Sequence, residues 1–123
     1  MRIFLTRWFS RFARKEDIAD DDLREAIARA LRGLVDADLG GGLIKQRIAR
    51  RGEGRSGGYR VMVAYCANDR AVFLYGFAKN ERDNIDSSDL ADLREAARVF
   101  LGMSRAEIAK VIADGRLKEV QFG

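Results

Sequence analysis

The sequence predicts an α+β fold, in which helices cover an antiparallel sheet, and three observations support this class. Residues 43–77 contain three apolar runs joined by short polar or glycine-rich connections, as in an antiparallel meander. Segments on both sides of them repeat apolar residues at helical spacing. The chain has 123 residues, is 47% hydrophobic and shows no internal repeat or linker. We therefore expect residues 1–123 to form one domain.

The N-terminal third predicts a strand followed by two helices. Residues 3–5 form the strand, and the next helix is expected to pack Trp8, Phe9 and Phe12 on the core. Aspartates at positions 20–22 open the second helix, since carboxylates cap free N–H groups and complement the helix dipole. This helix is expected to run for about four turns, because apolar residues recur at helical spacing. Its apolar positions are Leu23, Ile27, Leu31 and Leu34.

Residues 36–42 are rich in glycine and predict a turn that leads into a strand over residues 43–49. Side chains alternate along a strand. One face of this strand is therefore expected to carry Lys45 and Arg47, and the other to carry Gln46 between two isoleucines.

The central part of the chain predicts two further strands. The basic, glycine-rich residues 50–58 are expected to form a loop, which lacks the residue spacing of a phosphate-binding P-loop. The strand over residues 59–66 is apolar on both faces, so we expect it to be central in the sheet. Asn68 and Asp69 tolerate positive φ and suit the tight turn of a hairpin. Residues 71–77 then return as the last strand of the meander.

The C-terminal third predicts two more helices. Ser87 or Ser88 is expected to cap the first of them. Its apolar stripe consists of Leu90, Leu93, Ala97, Phe100 and Leu101. A capping box that begins at Ser104 opens the second helix, and Gly115 ends it. Residues 117–122 predict either a final short strand or an exposed tail.

Residue usage excludes several kinds of chemistry. The chain has no histidine and one cysteine, Cys66, so we expect neither an intrachain disulfide nor a zinc site. Cys66 is expected to be a buried small hydrophobe. Any catalysis must use Lys, Arg, Tyr, Asp or Glu, and no metal or other cofactor is expected. No apolar run approaches the length of a membrane span, and the scarcity of cysteine favours the reducing cytoplasm.

Positive charge is concentrated in one central block, and a first, shorter basic block stands at the N-terminus. Residues 1–15 carry five cations and no acid, and residues 43–82 carry nine cations and three acids. The central block suggests a polyanionic partner, first of all a nucleic acid. The alternative is a solvated face that nearby acids balance. The first block also resembles a transit peptide in composition, but a short strand and a core-packing helix explain it better.

Four basic residues are expected to converge on one concave patch. Lys45 and Arg47 lie about 7 Å apart on one face of their strand. Antiparallel pairing brings Arg60 to the same surface, and Lys79 follows the last strand, where sheets present functional groups. Arg binds phosphate bidentately through its planar fork, and a Lys crowded by cations can move protons, with Glu81 as a second candidate base. The alternative is a solvated sheet face in which Arg60 pairs with an acid of the aspartate-rich helix.

This surface is also expected to bind RNA through its phosphates. The RNA-binding candidates are Lys45, Arg47, Arg50, Arg51, Arg55 and Arg82. The three that belong to the glycine-rich loop are expected to overhang the edge of the patch. Tyr59, Tyr65 and Tyr75 are expected to be core or sheet-face residues rather than platforms on which bases stack.

Four stretches of the sequence carry a family pattern. They are DADLGGGL at 36–43, KQRIAR at 45–50, SGGYR at 56–60 and YGFAKNE at 75–81. In this order they resemble the RelE/HigB-like toxins of type II toxin–antitoxin systems, and the order of helices and strands matches as well. The resemblance covers residues 2–101 and points to a branch with a C-terminal helical extension, here residues 102–123.

The resemblance implies a small RelE-like fold and a toxin that binds in the ribosomal A site and cuts mRNA without a metal. It implies a cognate antitoxin that wraps the toxin or blocks its basic face. Binding and cleavage are assigned to the basic pair of the 43–49 strand, to Arg60 after Gly-Tyr, and to Lys79 with its neighbours Asn80 and Glu81.

Two main hypotheses follow. In the first, the chain is an mRNA endoribonuclease in which Arg60 stabilises charge on the scissile phosphate, and Lys45 and Arg47 hold the backbone. Lys79, Glu81 or Lys45 then moves protons in place of the His or Tyr that many family members carry near the C-terminus. In the second, the chain is an RNA-binding or operator-binding module without cleavage, which the missing histidine favours. A partner-docking scaffold is a third hypothesis, and it gives Arg60 no special role.

Overall fold

The computed structural model describes residues 1–50, 57–81 and 84–121. In chain order its elements are β1 (Arg2–Thr6), α1 (Arg7–Lys15), α2 (Asp20–Leu31), β2 (Ala37–Gly40), β3 (Leu43–Arg50), β4 (Gly58–Cys66), β5 (Arg70–Ala78), α3 (Ser87–Leu101), α4 (Arg105–Ala113) and β6 (Leu117–Glu119). The predicted α+β class is confirmed.

The strands form one sheet in the order β2-β3-β4-β5-β1-β6. The β3-β4-β5 meander is antiparallel, as predicted, and its hairpin turns at Asn68, which has a φ of +62°. β1 runs parallel to β5, which the sequence did not indicate, and β6 pairs antiparallel with β1. The C-terminal segment therefore includes a strand rather than only an exposed tail, and it closes the sheet beyond β1.

Each face of the sheet is covered by a different pair of helices. Phe9 of α1 and Leu23 and Ile27 of α2 pack on the face that carries Val61 and Phe73. The apolar stripes of α3 and α4 pack on the opposite face, against side chains that include Leu43 and Met62. The stripe predicted for α3 is confirmed, since Ala97 is buried and its other members pack on the same core. We call these surfaces the α1/α2 face and the α3/α4 face.

The alternation predicted for β3 is confirmed. Gln46 is fully buried between Ile44 and Ile48 on the α1/α2 face. Its amide donates to the carbonyl oxygens of Ala26 and Leu34 at 2.8 and 3.2 Å, and its side-chain oxygen accepts from the Asp36 N–H at 2.8 Å. These bonds satisfy a polar group that would otherwise be unfavourable in the core. Lys45 and Arg47 consequently lie on the α3/α4 face.

Two predictions for the first helices were wrong. Trp8 is 40% exposed, whereas Phe9 is buried and Phe12 is half-buried. α2 has 12 residues and ends at Leu31, so it is shorter than expected. The chain reverses at Gly33, whose φ is +81°, and Leu31 and Leu34 remain 44% and 55% exposed. Because the chain reverses there, Leu34 does not continue the apolar stripe of α2.

Three local predictions were also wrong. Residues 37–40 are not only part of a glycine turn but form the edge strand β2, which pairs with β3. Asp86, and neither of the two serines, caps α3 by accepting from the Asp89 N–H at 2.8 Å. Cys66 is exposed because β4 ends there, beyond the cover of the helices. The capping box of α4 at Ser104 is as predicted, and so is the end of this helix before Gly115, whose φ is +76°.

Candidate functional site

Three predicted cations form what we call the cationic patch: Lys45, Arg47 and Arg60. Arg47 lies directly opposite Arg60 in the β3–β4 ladder, and Lys45 lies opposite Met62. Residues opposite each other in a ladder share a face, with Cβ atoms about 5 Å apart. Because Met62 belongs to the α3/α4 core, all three cations lie on the α3/α4 face. Arg47 is exposed, Lys45 is half-buried, and Arg60 is only 6% exposed.

The electrostatic surroundings of Arg60 disfavour its charge. Burial of the guanidinium lowers its pKa most, and the positive charge of Arg47 lowers the pKa further. The carboxylate of Asp36 acts in the opposite direction and raises it. An anion such as phosphate that enters the patch would therefore find a cation already desolvated and held near a second cation.

The backbone of Arg47 is held in place from α2 and from the segment before β2. Asp36 accepts a hydrogen bond from the Arg47 N–H at 2.7 Å, and the Arg47 side chain reaches the same carboxylate at 4.0 Å. The buried Arg29 donates to the carbonyl oxygen of Arg47 and pairs with Asp36 at 3.5 Å and with Glu25 at 3.0 Å. This cluster ties α2 to the edge of β3 and thereby positions the patch.

The end of β5 approaches the patch from the other side. Phe77 lies opposite Arg60 in the β4–β5 ladder. The Lys79 N–H donates to the Gly58 carbonyl at 3.0 Å, which extends the pairing by one residue. Lys79 and Glu81 are both exposed just beyond the strand. The structure thus places Lys79 and Glu81, two of the three predicted proton-transfer candidates, at the same end of the sheet as Arg60.

Other candidate residues lie elsewhere or outside the described residues. Arg50 is on the α1/α2 face, where its guanidinium carbon lies 5.7 Å from the ring centroid of the buried Tyr59. It therefore does not join the cationic patch. The remaining candidates outside the described residues are Arg51, Arg55 and Arg82.

Sequence reasoning missed an aromatic surface beside the patch. Trp8 contacts Tyr75 at a ring-centroid distance of 4.6 Å, and Tyr75 lies 6.4 Å from Phe77, which neighbours Arg60. One sequence feature could have indicated this surface: α1 carries three aromatic residues, more than its core-facing side can bury.

Within the parts of the chain that the structure describes, no group of three or more His, Cys, Asp or Glu side chains is arranged to hold a metal ion. None of the helices in those residues is long and apolar enough to cross a membrane. What the cationic patch offers chemically is binding of a phosphodiester by cations that share one face of the sheet.

Comparison with known proteins identifies the family. A family model described as the RelE toxin of the RelE/RelB toxin–antitoxin system matches residues 1–120, so the match continues past residue 101 through α4 and β6. A search of curated proteins found no significant match. Such a toxin has an antitoxin as its partner. The chain belongs to the RelE family of toxins of toxin–antitoxin systems.

Proposed function

We propose that this toxin is an mRNA endoribonuclease that acts on translating ribosomes in the cytoplasm and is silenced by its antitoxin. The observation that carries the proposal is Arg60, a buried arginine directly opposite a second arginine in the ladder. The charge of a buried guanidinium that desolvation and a neighbouring exposed arginine disfavour is stabilised when a further anion binds beside it. A phosphate of the RNA backbone is the anion that suits both guanidinium groups.

The proposed reaction is attack of an RNA 2′-hydroxyl on the adjacent phosphate. The 2′ oxygen forms a bond to phosphorus, the bond to the 5′ oxygen breaks, and a cyclic phosphate and a free 5′-hydroxyl result. Arg60 stabilises the additional negative charge on the phosphoryl oxygens. Arg47 and Lys45 hold the flanking backbone, and the reaction needs no metal cofactor.

Two proton transfers complete this mechanism. A base must accept the proton of the 2′-hydroxyl, and an acid must donate a proton to the leaving 5′ oxygen. Glu81 and Lys79 are exposed at the end of β5 and can serve as this base and this acid, in that order. Lys45 is the alternative acid, because it lies on the same face as Arg60.

A second candidate function is RNA binding without cleavage, or operator binding together with the antitoxin. The chain has no histidine, the side chain best suited to proton transfer at neutral pH. A toxin of this kind would block translation by occupying RNA. Its binding would weaken steeply with salt but leave the RNA intact.

The test is to induce the protein briefly in a bacterium and map new 5′ ends across cellular transcripts. Arg60→Ala is compared with Arg98→Ala, a control that removes an exposed arginine of α3 paired with Glu95. We expect new ends inside coding regions for the unmodified protein and for the control, and none for Arg60→Ala. Growth arrest without new ends would favour the binding function, and new ends that persist in a folded Arg60→Ala variant would overturn the role of Arg60.

A further inference from the structure

An exposed tryptophan lies at the start of α1. The Trp8 ring is stacked on Phe12, with a centroid distance of 5.3 Å and an interplanar angle of 15°, and its centroid lies 4.6 Å from that of Tyr75 at an angle of 33°. Trp8 is nevertheless 40% exposed. A large aromatic ring that is held rigidly by neighbours and still open to solvent is suited to stacking against a ligand.

The topology of the sheet creates a groove at this place. β1 pairs with β5 only as far as Phe73, whereas β5 continues to Ala78. The edge of the last part of β5 is thus covered by the beginning of α1 instead of a strand. Beside it lies a groove of about 310 Å³ whose lining includes Trp8, Phe12, Tyr75, Phe77 and Glu81. We call it the aromatic groove.

Gly76 makes the groove possible. A Cβ atom at this position would lie 2.8 Å from the Phe12 ring and 3.2 Å from the Arg60 carbonyl oxygen. Glycine therefore allows the Phe12 ring to lie directly on the β5 backbone, and Phe12 in turn supports Trp8. The aromatic groove is consequently a fixed feature of the packing of α1 on β5.

The charge around the aromatic groove is mixed, because Lys15 lines it together with the acids Glu16 and Glu81, and further cations lie on α1. α1 contains four cations and no acid. Of these, Arg11 and Lys15 are exposed and line a second cleft, together with Trp8 and Phe12. Flat aromatic surfaces bordered by cations are typical of sites that bind single-stranded nucleic acid, because bases stack and phosphates pair with the cations.

The aromatic groove leads to the cationic patch. Its aromatic row runs from Trp8 through Tyr75 to Phe77, and Phe77 lies opposite Arg60 in the ladder. Glu81 belongs to the lining of the same groove. Phe77 is buried and Tyr75 is half-buried, so the aromatic row connects the groove to the neighbourhood of Arg60 through packed side chains.

We propose that the aromatic groove is a binding subsite for single-stranded RNA, in which a base next to the scissile phosphate stacks on Trp8 while Arg11 and Lys15 contact the backbone. This proposal rests on the proposed function in one respect: the RNA strand runs from Arg60 into the groove because Arg60 holds the scissile phosphate. An acidic segment of the antitoxin is the competing occupant. Continuity with Arg60 favours RNA, because only a polyanion with stacking bases uses the cations and the aromatic row together.

Trp8 is the only tryptophan of the chain, so its fluorescence reports on the aromatic groove. The probe is a short 2′-O-methyl RNA oligonucleotide, which cannot be cleaved because its 2′ oxygen carries no proton. We expect this RNA to quench Trp8 emission and inorganic polyphosphate of equal charge to leave it unchanged. Equal responses to both probes, or a response to purified antitoxin but none to RNA, would overturn the proposal.

Variants test the same subsite through affinity. Trp8→Leu is expected to weaken binding of this RNA about tenfold, because leucine cannot stack on a base. Trp8→Phe is expected to retain most of the affinity, because phenylalanine keeps an aromatic ring. Val99→Ala on α3 is the matched control, since Val99 is similarly exposed at 42%. If Trp8→Leu does not fold, the Arg11→Ala/Lys15→Ala double variant replaces it. Loss of two phosphate contacts should then reduce the slope of log affinity against log salt by about 1.4.

Failure of this proposal is distinguishable from failure of the proposed function. Quenching by the uncleavable RNA, with weaker binding in Trp8→Leu, supports the subsite even if the toxin cuts nothing. Cleavage that depends on Arg60 but proceeds in folded Trp8→Leu with unchanged kcat and KM would overturn the subsite and leave the nuclease function intact.

Discussion

Two pairs of arginines stand opposite each other on the α3/α4 face, at opposite ends of the sheet. Arg47 and Arg60 are partners in the β3–β4 ladder, and Arg2 and Arg70 are partners in the β1–β5 ladder. One member of each pair is buried, Arg60 at 6% and Arg70 at 9% exposure. The two pairs therefore match in face and in burial, although the β3–β4 ladder is antiparallel and the β1–β5 ladder is parallel.

Their surroundings act differently on the arginine charges, since they raise the pKa of Arg2 and lower the pKa of Arg60. Arg2 forms a bidentate ion pair with Glu119 at 2.9 and 3.0 Å, which raises its pKa. Arg70 donates to the carbonyl oxygens of Phe100 and Met103 at 3.0 and 2.8 Å and lies 3.3 Å from the Asp69 carboxylate. The pair at this end is neutralised by the fold itself and ties the α3–α4 corner and β6 to the sheet.

At the other end, Arg60 has a lowered pKa, because burial and Arg47 outweigh Asp36. When the pKa of a cation is lower in the folded state than in the unfolded state, its positive charge is less favourable in the folded state. At neutral pH such an arginine is charged in both states, so this difference opposes folding. The folded surroundings therefore disfavour the charged form of Arg60 relative to its neutral form. Such a charge is expected at a site that binds an anion and not at a purely structural position.

The largest expected effect comes from Arg60→Met, which removes the charge but keeps much of the side-chain volume. Cleavage of RNA by the purified toxin should fall by about 10²–10³-fold, the usual effect of removing a donor that stabilises transition-state charge. The free energy of unfolding in urea should stay the same or increase. A variant that loses both activity and stability would show that Arg60 is structural after all.

Arg70→Met should have the opposite profile. The carbonyl oxygens of Phe100 and Met103 lose their charged donor, and the protein should be destabilised by about 2 kcal/mol. The cleavage rate per folded molecule should not change, because Arg70 lies at the far end of the sheet from the patch. Urea unfolding measures the stability, and an activity assay at equal concentrations of folded protein measures the cleavage rate. A lower cleavage rate of folded Arg70→Met would contradict the proposed difference between the two arginine pairs.

Asp36→Asn is expected to act on both properties in opposite directions. The variant removes the carboxylate that pairs with Arg29 and Arg47, so the free energy of unfolding should fall by about 1 kcal/mol. It also removes a negative charge beside the patch, so RNA should bind about two- to fivefold more tightly at low salt. Asp38→Asn is the matched control, since Asp38 accepts the Gly40 N–H in β2 and pairs with neither arginine of the patch within the described residues. Weaker RNA binding by folded Asp36→Asn would mean that Asp36 orients Arg47 for the ligand.

The cationic patch could be predicted from sequence because period-two alternation and antiparallel pairing determine which side chains share a face. The same alternation places Arg50 with Ile48 on the α1/α2 face, a consequence that the basic character of the loop obscured. The exposure of Trp8 could not be predicted, since it depends on how far β5 extends beyond its pairing with β1. β2 was missed for a related reason: a short edge strand is stabilised by its neighbour and not by its own composition.

The smallest expected effect concerns the ion pair at the neutralised end. Glu119→Gln removes the carboxylate partner of Arg2, and because both side chains are partly exposed the loss should be about 0.5–1 kcal/mol at neutral pH. Arg2 lowers the pKa of Glu119, mainly through its hydrogen bonds. A carboxylate with a lowered pKa stabilises the fold fully above its unfolded pKa of about 4.3, and this contribution is lost as the pH falls through the folded value.

The difference in stability between the unmodified protein and Glu119→Gln should therefore be constant near neutral pH and disappear in acid, below the ordinary range of a glutamate. Urea unfolding measured over a series of pH values tests this. Glu95→Gln, which breaks a fully solvated pair with Arg98 on α3, is the control and should change stability less. A pH-independent difference would show that Glu119 contributes through packing of β6, and that Arg2 does not need its acid to remain opposite Arg70.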